Sequence, residues 1–163
     1  MHAPGRRDRT AAMHAVHHLL LAHGTAVDRM RSADGDQRFG ITLNLTPAIP
    51  RTEADVETAR RADGFGIRMY LDPPLRGHYP SDTLADLADL ADEGITLPVE
   101  PGDLTAIATP LDVLGVNYYF TETVRADGAA VRTGPTTALG WPVTPPGLTD
   151  LLVRLHRGRF GEL

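Results

Sequence analysis

Two short runs of strand periodicity, far apart in the chain and separated by helical patterns, constrain the fold more than any other feature. In Phe39-Gly40-Ile41-Thr42-Leu43-Asn44-Leu45 the apolar Phe39, Ile41, Leu43 and Leu45 alternate with Gly40, Thr42 and Asn44. That period of two is the signature of a strand with two chemically different faces. Leu111-Asp112-Val113-Leu114-Gly115-Val116-Asn117-Tyr118-Tyr119 reads as a second strand. Each run is followed by a helical return, the connection that parallel strands require. A parallel sheet needs both faces covered and its edges paired, and two strands are too few to make one. The chain therefore reads as an α/β piece of a larger sheet.

The helical patterns fill the rest. Ala12, Val16, Leu19, Leu20, His23, Val27 and Met30 recur at three- and four-residue spacing and predict a helix from Asp8 to about Arg31, capped by Asp8 or Thr10. Gly24 inside it marks close packing against a neighbour, because glycine costs a helix about 1 kcal/mol relative to alanine. Asp34-Gly35-Asp36 ends the element. Pro47 and Pro50 stop the first strand, and Thr52 caps a helix to about Ala62. The Gly- and Pro-rich stretch from there to Pro80 reads as loop. Ser81 caps a helix running through Leu84-Ala85-Asp86-Leu87-Ala88-Asp89-Leu90-Ala91-Asp92, and a short helix spans about Gly102 to Ala108. Residues 121 to 140 read as loop with a turn at Asp127-Gly128. A last helix starts near Pro146 and runs through Leu148, Leu151, Leu152 and Leu155.

Composition narrows the function classes. The 163 residues carry a formal charge of −5 and no cysteine. Disulfides, thiolate metal sites and a cysteine nucleophile are thereby excluded, and the acidic balance argues against a nucleic-acid partner. No apolar run approaches the eighteen or so residues of a membrane span. The opening Met1-His2-Ala3-Pro4 lacks the charged-then-apolar start of a signal peptide, so the expected setting is cytoplasmic, with no membrane partner.

Strand parity selects the candidate site residues, since side chains two apart share a face. Asn117 and Tyr119 point one way, while Leu114, Val116 and Tyr118 form a face for covering helices. Asn44 sits at the carboxyl end of its strand, opposite Ile41, Leu43 and Leu45. Polar residues at such ends are where barrels of parallel strands build active sites. The plain alternative is that Asn44 and Asn117 satisfy turn backbone.

His2-Ala3-Pro4-Gly5, His17-His18-Leu19-Leu20-Leu21-Ala22-His23-Gly24 and Gly40-Ile41-Thr42-Leu43-Asn44 resemble consecutive motifs of the family 1 glycoside hydrolases. So do Leu71-Asp72-Pro73 with Gly77-His78-Tyr79-Pro80, then Asp112 to Tyr119, then Gly140-Trp141 with Pro146-Gly147-Leu148. The order and approximate spacing agree over nearly the whole chain. Departures are local. Ile67-Arg68-Met69-Tyr70 stands where the family commonly has Asn-Arg-Trp-Phe, Pro74 where leucine is usual, and Pro142 where a glutamate often follows the tryptophan.

The resemblance implies part of a (β/α)₈ barrel, about its central β/α units, with residues 1–163 forming a single partial domain. It implies a retaining β-glucosidase that needs no cofactor and acts on β-glucosides or related glycosides. In that mechanism one glutamate protonates the leaving oxygen and another attacks the anomeric carbon, the carboxyls lying about 5–5.5 Å apart. The family carries them in Asn-Glu-Pro before His-Ala-Pro-Gly and in Thr-Glu-Asn-Gly after the last helix. Neither motif occurs here, and the chain stops at Gly161-Glu162-Leu163, short of the second. No catalytic residue is therefore expected in this chain. What the resemblance leaves is a supporting shell: Tyr119 hydrogen-bonding the nucleophile, Asn117 near the acid/base, and Asn44 and Trp141 lining the aglycone side. For Trp141 the alternative is a core anchor.

Rival readings attach to single features. His14 and His18 lie four apart on a helix and tempt a metal reading, but no glutamate sits between them as in a metalloprotease helix. Glu122 and Glu100 are the substitutes for the missing carboxylates, and nothing in the sequence places them together. Asp63-Gly64-Phe65-Gly66 neither follows a strand nor opens a helix as a phosphate loop does. Two classes remain: a β-glycosidase incompletely represented here, with the missing barrel segments as partner, and a non-catalytic partial barrel that binds a sugar or partner without hydrolysis.

Overall fold

The computed structural model describes Gly5, residues 7–33, 36–90 and 94–128, Val131, and residues 134–160, the side chains of Arg159 and Phe160 excepted. The readings of His2-Ala3-Pro4, Asp34-Gly35, Ala91-Asp92 and Gly161-Glu162-Leu163 lie outside these residues. In chain order the elements are α1 (Arg9–Ala33), β1 (Gly40–Asn44), β2 (Ala48–Pro50), a 3₁₀ turn (Glu53–Asp55), α2 (Val56–Asp63), a π turn (Gly64–Arg68) and α3 (Met69–Arg76). There follow α4 (Ser81–Asp89), α5 (Asp103–Ile107), β3 (Val113–Asn117), β4 (Glu122–Val124), α6 (Pro145–Leu155) and a second π turn (His156–Phe160). The chain divides into two compact units, Met1–Gln37 with Asp72–Pro110, and Arg38–Leu71 with Leu111–Leu163.

The first unit is helical. Asp8 caps α1, its Oδ1 accepting the Ala11 amide at 2.9 Å, as the sequence predicts. The buried stripe of α1 is Val16, His17, Leu20, Gly24 and Val27, while Leu19 and Met30 face outward. Gly24 is a close approach: a Cβ there would strike the Ala106 carbonyl and the Ile107 Cα of α5. α4 begins at Ser81 itself, with Pro80 in the capping position and the Leu84 amide bonded to the Pro80 carbonyl at 3.0 Å. Ser81 is thus the first helical residue and not the cap.

The second unit holds every strand among the described residues. β1 and β3 pair in parallel, in register from Gly40↔Val113 to Asn44↔Asn117. β2 and β4 also pair in parallel, from Ala48↔Glu122 to Pro50↔Val124. Hydrogen bonds from Leu45 N to Asn117 O (2.9 Å) and from Glu122 N to Pro47 O (2.8 Å) carry the ribbon between the two pairs. Leu43 and Leu45 are buried in the unit's core, together with Phe39, Ala59, Ile67, Met69, Leu71, Leu111, Val124, Leu151 and Leu155.

Three sequence expectations are corrected here. β2 and β4 fall where the prolines and the stretch 121–140 read as loop. Each is only three residues long, and Pro50 is accommodated at a strand end, where little ladder bonding is lost. The stretch after Ala62 is helical, not loop, through the π turn and α3. In the π turn the Met69 amide reaches back to the Gly64 carbonyl, and α3 contains both Pro73 and Pro74. A proline inside a helix costs about 3 kcal/mol. Burying Ile67, Met69 and Leu71 here offsets it, at roughly 1.5–3 kcal/mol for each large apolar side chain. The second strand is also shorter than Leu111 to Tyr119, covering Val113–Asn117.

Candidate functional site

The open face of the β1–β3 pair follows from parity. Register partners in a parallel pair project to the same side, so Thr42 and Asn44 of β1 share a face with Gly115 and Asn117 of β3. Gly115 cannot carry a side chain here, since a Cβ would strike Thr42 Oγ1. Asn44 and Asn117 are direct partners at the carboxyl ends and both are exposed. Neither side-chain amide bonds another described residue, so satisfying turn backbone is not their role in this fold. Beside Asn44 opens a cavity of about 370 Å³, walled by Thr42, Leu43 and Thr46 on one side and Phe65, Gly66 and Tyr70 on the other.

Just past β3 the chain builds an aromatic corner. Tyr119 is 53% exposed and packs edge-on against Trp141, with ring centroids 5.2 Å apart and planes at 64°. Phe120 lies 6.0 Å from the same indole. Trp141 is 39% exposed and so is not a core anchor. A tight loop presents it: the Thr137 amide donates to the Trp141 carbonyl (2.8 Å), and Gly140 adopts a positive φ of 75° that a side chain would strain.

Tyr118, read from sequence as a residue facing covering helices, has a polar task that sequence reasoning missed. Its hydroxyl donates to the Thr144 carbonyl at 2.6 Å and lies 3.0 and 2.9 Å from the Thr121 and Thr144 hydroxyls. Thr144 Oγ1 also accepts the Thr121 amide at 2.8 Å. Gly147 sits so close that a Cβ would strike both Thr121 Oγ1 and Tyr118 Oη. This knot fastens the start of α6 to the end of β3, the segment from which Tyr119 projects. Gly147 after two prolines was its one trace in the sequence.

The model of the glycosyl hydrolase family 1 matches residues 1–160. The chain belongs to this family. It is 37% identical to the bifunctional β-D-glucosidase/β-D-fucosidase of Bifidobacterium breve, over 95% of this chain and 37% of that one. It is 40% identical to the thermostable β-glucosidase B of Thermobispora bispora, over 95% of this chain and 34% of that one. Among solved structures, the psychrophilic β-glucosidase of Micrococcus antarcticus matches with a TM-score of 0.83 and 42% identity, over 94% of this chain and 38% of that one. The fold is thus part of a family 1 (β/α)₈ barrel, and the chain spans little more than a third of the length of these relatives.

Family 1 chemistry turns on carboxylates, and those of the second unit are largely committed elsewhere. Asp55 accepts the Thr52 amide (2.9 Å), the Thr52 hydroxyl (2.6 Å) and the Ala126 amide (2.6 Å). These bonds, led by the Thr52 hydroxyl, hold its carboxyl below the usual range. Asp63 binds Arg68 and Arg154, Asp112 accepts the Phe39 amide, and Glu57 is pulled down to about 2 by Arg60 and Arg61. Glu122 is half-buried on β4 opposite Ala48. Glu100 belongs to the other unit, where its amide donates to Asp103 Oδ2 at 2.8 Å.

Of the helix histidines His17 is buried in the packing, while His18 is exposed. His17 is fully buried, its Nε2 3.0 Å from Asp103 Oδ2 and its Nδ1 3.0 Å from the Tyr79 hydroxyl. Burial, reinforced by the Asp103 charge, pushes Tyr79 up to about 12. The tyrosine therefore keeps its proton, which fits a hydroxyl donating to Nδ1 while Nε2–H donates to Asp103. Asp103 is held below the usual carboxylate range by the Glu100 amide and then by His17. His14 bonds the Thr96 carbonyl. Among the described residues no group of three or more histidines and carboxylates is disposed to hold a metal, and no helix is long and apolar enough to cross a membrane.

Proposed function

We propose that residues 1–163 form one partial domain, the middle section of a retaining β-glucosidase, supplying the walls of a glycoside site and neither of its catalytic carboxylates. The observation that carries this reading is the alignment of Asn44 with Asn117 at the carboxyl ends of β1 and β3, beside the exposed Tyr119–Trp141 corner. In that site Tyr119 orients the nucleophile, Asn117 lies near the acid/base, and Asn44 and Trp141 receive the aglycone. The amides offer hydrogen bonds to sugar hydroxyls and the indole offers a flat apolar face. The substrates are β-glucosides, with β-fucosides next in line from the Bifidobacterium relative. A cytoplasmic setting completes the reading and accords with the cysteine-free composition.

Alone, the chain should hydrolyse an aryl β-glucoside no faster than a buffer control containing an unrelated protein. General acid–base catalysis commonly contributes about 10²–10⁴-fold, and the nucleophile is missing as well. Turnover by the bare chain that Glu122→Gln abolishes would overturn the reading. A second reading, binding without hydrolysis, is favoured by the unengaged Asn44 and Asn117 amides. Titrating the chain with salicin while following the fluorescence of its single tryptophan tests it, and a flat titration removes it.

A further inference from the structure

We propose that the Tyr118 hydroxyl is a positioning group: it sets where Trp141 stands against Tyr119, and so the form of the flat apolar surface these rings offer. Its bearing on an aglycone rests on the function proposed above, while the positioning itself does not. Trp141 rides on a small hairpin. The Val143 amide donates to the Pro135 carbonyl (3.0 Å), Thr136 and Pro142 form an antiparallel bridge, and the Trp141 amide donates to Thr137 Oγ1 at 3.2 Å. This hairpin runs directly into Thr144. Tyr119 rides on the other segment, between the end of β3 and Thr121. One hydroxyl joins the two: Tyr118 Oη lies 3.0 Å from the hydroxyl of Thr121, 2.6 Å from the Thr144 carbonyl and 2.9 Å from the Thr144 hydroxyl.

A phenol has one proton to donate and an oxygen with which to accept. Here the proton goes to the Thr144 carbonyl, and the Thr121 and Thr144 hydroxyls serve as donors to Oη. Thr144 occupies the N-cap of α6, where a threonine hydroxyl ordinarily accepts an amide of the first turn, but it makes no such bond. Its hydroxyl oxygen takes the Thr121 amide instead, at 2.8 Å. The helix tolerates this because Pro145 and Pro146 have no amide hydrogen, and the Gly147 amide donates to the Thr144 carbonyl at 3.1 Å. A knot serving α6 alone would keep the cap. This one forgoes it and ties two aromatic segments together. Burial cannot hold the rings in place of the knot, since Tyr119 is 53% and Trp141 39% exposed.

The chain has a single tryptophan, so the indole bands of its near-ultraviolet circular dichroism report Trp141. A ring held at one angle to its neighbours gives a strong band, and a ring free to turn gives a weak one. Tyr118→Phe keeps the ring and removes the hydroxyl. The indole band should fall roughly threefold or more and acrylamide quenching of Trp141 should rise roughly twofold, as the ring pair loses its fixed geometry. Amide exchange at Ile41 and Leu43, in the β1–β3 ladder, should stay as in the parent chain. Gly147→Ala attacks the knot without touching a ring, since its Cβ would strike both Thr121 Oγ1 and Tyr118 Oη, and should reproduce the loss. Thr144→Ser keeps both carbonyl and hydroxyl and should retain the parent band. Retention of the band in Tyr118→Phe or Gly147→Ala overturns the proposal, as does its loss in Thr144→Ser. So does a parent chain with no indole band. Loss in Tyr118→Phe accompanied by equally quickened exchange at Ile41 and Leu43 also overturns it, because the hydroxyl is then a prop of the whole unit. A chain that shows every expected band and binds no salicin leaves the positioning intact and counts against the proposed function only.

Discussion

Replacing Gly24 with alanine separates local preference from packing in α1. In a helix interior the change should stabilise by about 1 kcal/mol, because alanine is the better helix former. The structure predicts the opposite sign. The new Cβ would overlap the Ala106 carbonyl oxygen and stand 2.8 Å from the Ala106 carbonyl carbon and 2.9 Å from the Ile107 Cα. Non-bonded carbons prefer about 3.5–4.0 Å. All three atoms are backbone, so no rotamer relieves the overlap and α5 must retreat. Overpacking of this kind costs about 1–3 kcal/mol, and more when backbone has to move. After subtracting the propensity gain, the net change should be a destabilisation of up to about 2 kcal/mol, toward the upper end because backbone has to move. Amide exchange is the suitable assay, since it reads local opening without requiring cooperative unfolding. Exchange in Leu20–Val27 and in α5 should quicken roughly tenfold, the factor that corresponds to 1.4 kcal/mol. Gly66→Ala is the control: with 3.8 Å of clearance it should slow exchange around the π turn. Slower exchange in α1 for Gly24→Ala would refute the packing argument.

Four further outcomes are expected. Of the four tyrosines, one should ionise near pH 12 in a 295 nm titration, a step that Tyr79→Phe removes; its raised folded value means stability is present below about pH 10 and lost as pH rises through about 12. Asp103 works in the other direction: its lowered folded value means the tie to His17 is present above the ordinary aspartate value of 3.8 and lost as pH falls through the folded value. α1 protection should then drop in acid, and Asp103→Asn should abolish that pH dependence. Tyr118→Phe should cost about 1 kcal/mol for its lost hydroxyl bonds and quicken exchange at Thr121 and at the start of α6; unchanged exchange would dissolve the knot. Tyr119→Ala should lose the ring pair's ~0.5–1.5 kcal/mol and shift Trp141 emission to the red, whereas an unchanged spectrum would break the aromatic corner.

Parity was legible in the sequence because a strand's period is two whatever surrounds it. Parity puts Thr42 and Asn44 on one face of their strand and Asn117 on one face of its own; the register that aligns the two faces is set by the strand pairing and is not written in either run. β2 and β4 were not legible, since three residues hold too few alternations to be read. The helix from Gly64 to Arg76 was hidden by its own composition: two glycines and two prolines signal a loop, and only burial of Ile67, Met69 and Leu71 reverses that preference. His17 illustrates a different limit. Nothing in the run of histidines marks it as the buried one, because its partners lie 62 and 86 residues away. Trp141 could equally have been a core residue; its exposure is set by a loop that Gly140 closes.

The π turn changes the phase of everything after it. An α-helix advances about 100° per residue, and a π turn accommodates one residue beyond the ordinary turn. Tyr70, beyond the turn, thus stands about a quarter-turn from where an unbroken helix would carry it, while Phe65 and Gly66 lie within the turn itself. Deleting one residue between Gly64 and Arg68 would rotate a different set of side chains toward β1 and leave the strands themselves untouched. The wall of the cavity is therefore governed by residue count at this point as much as by residue type. Insertion and deletion can reshape the recess in ways that substitution cannot.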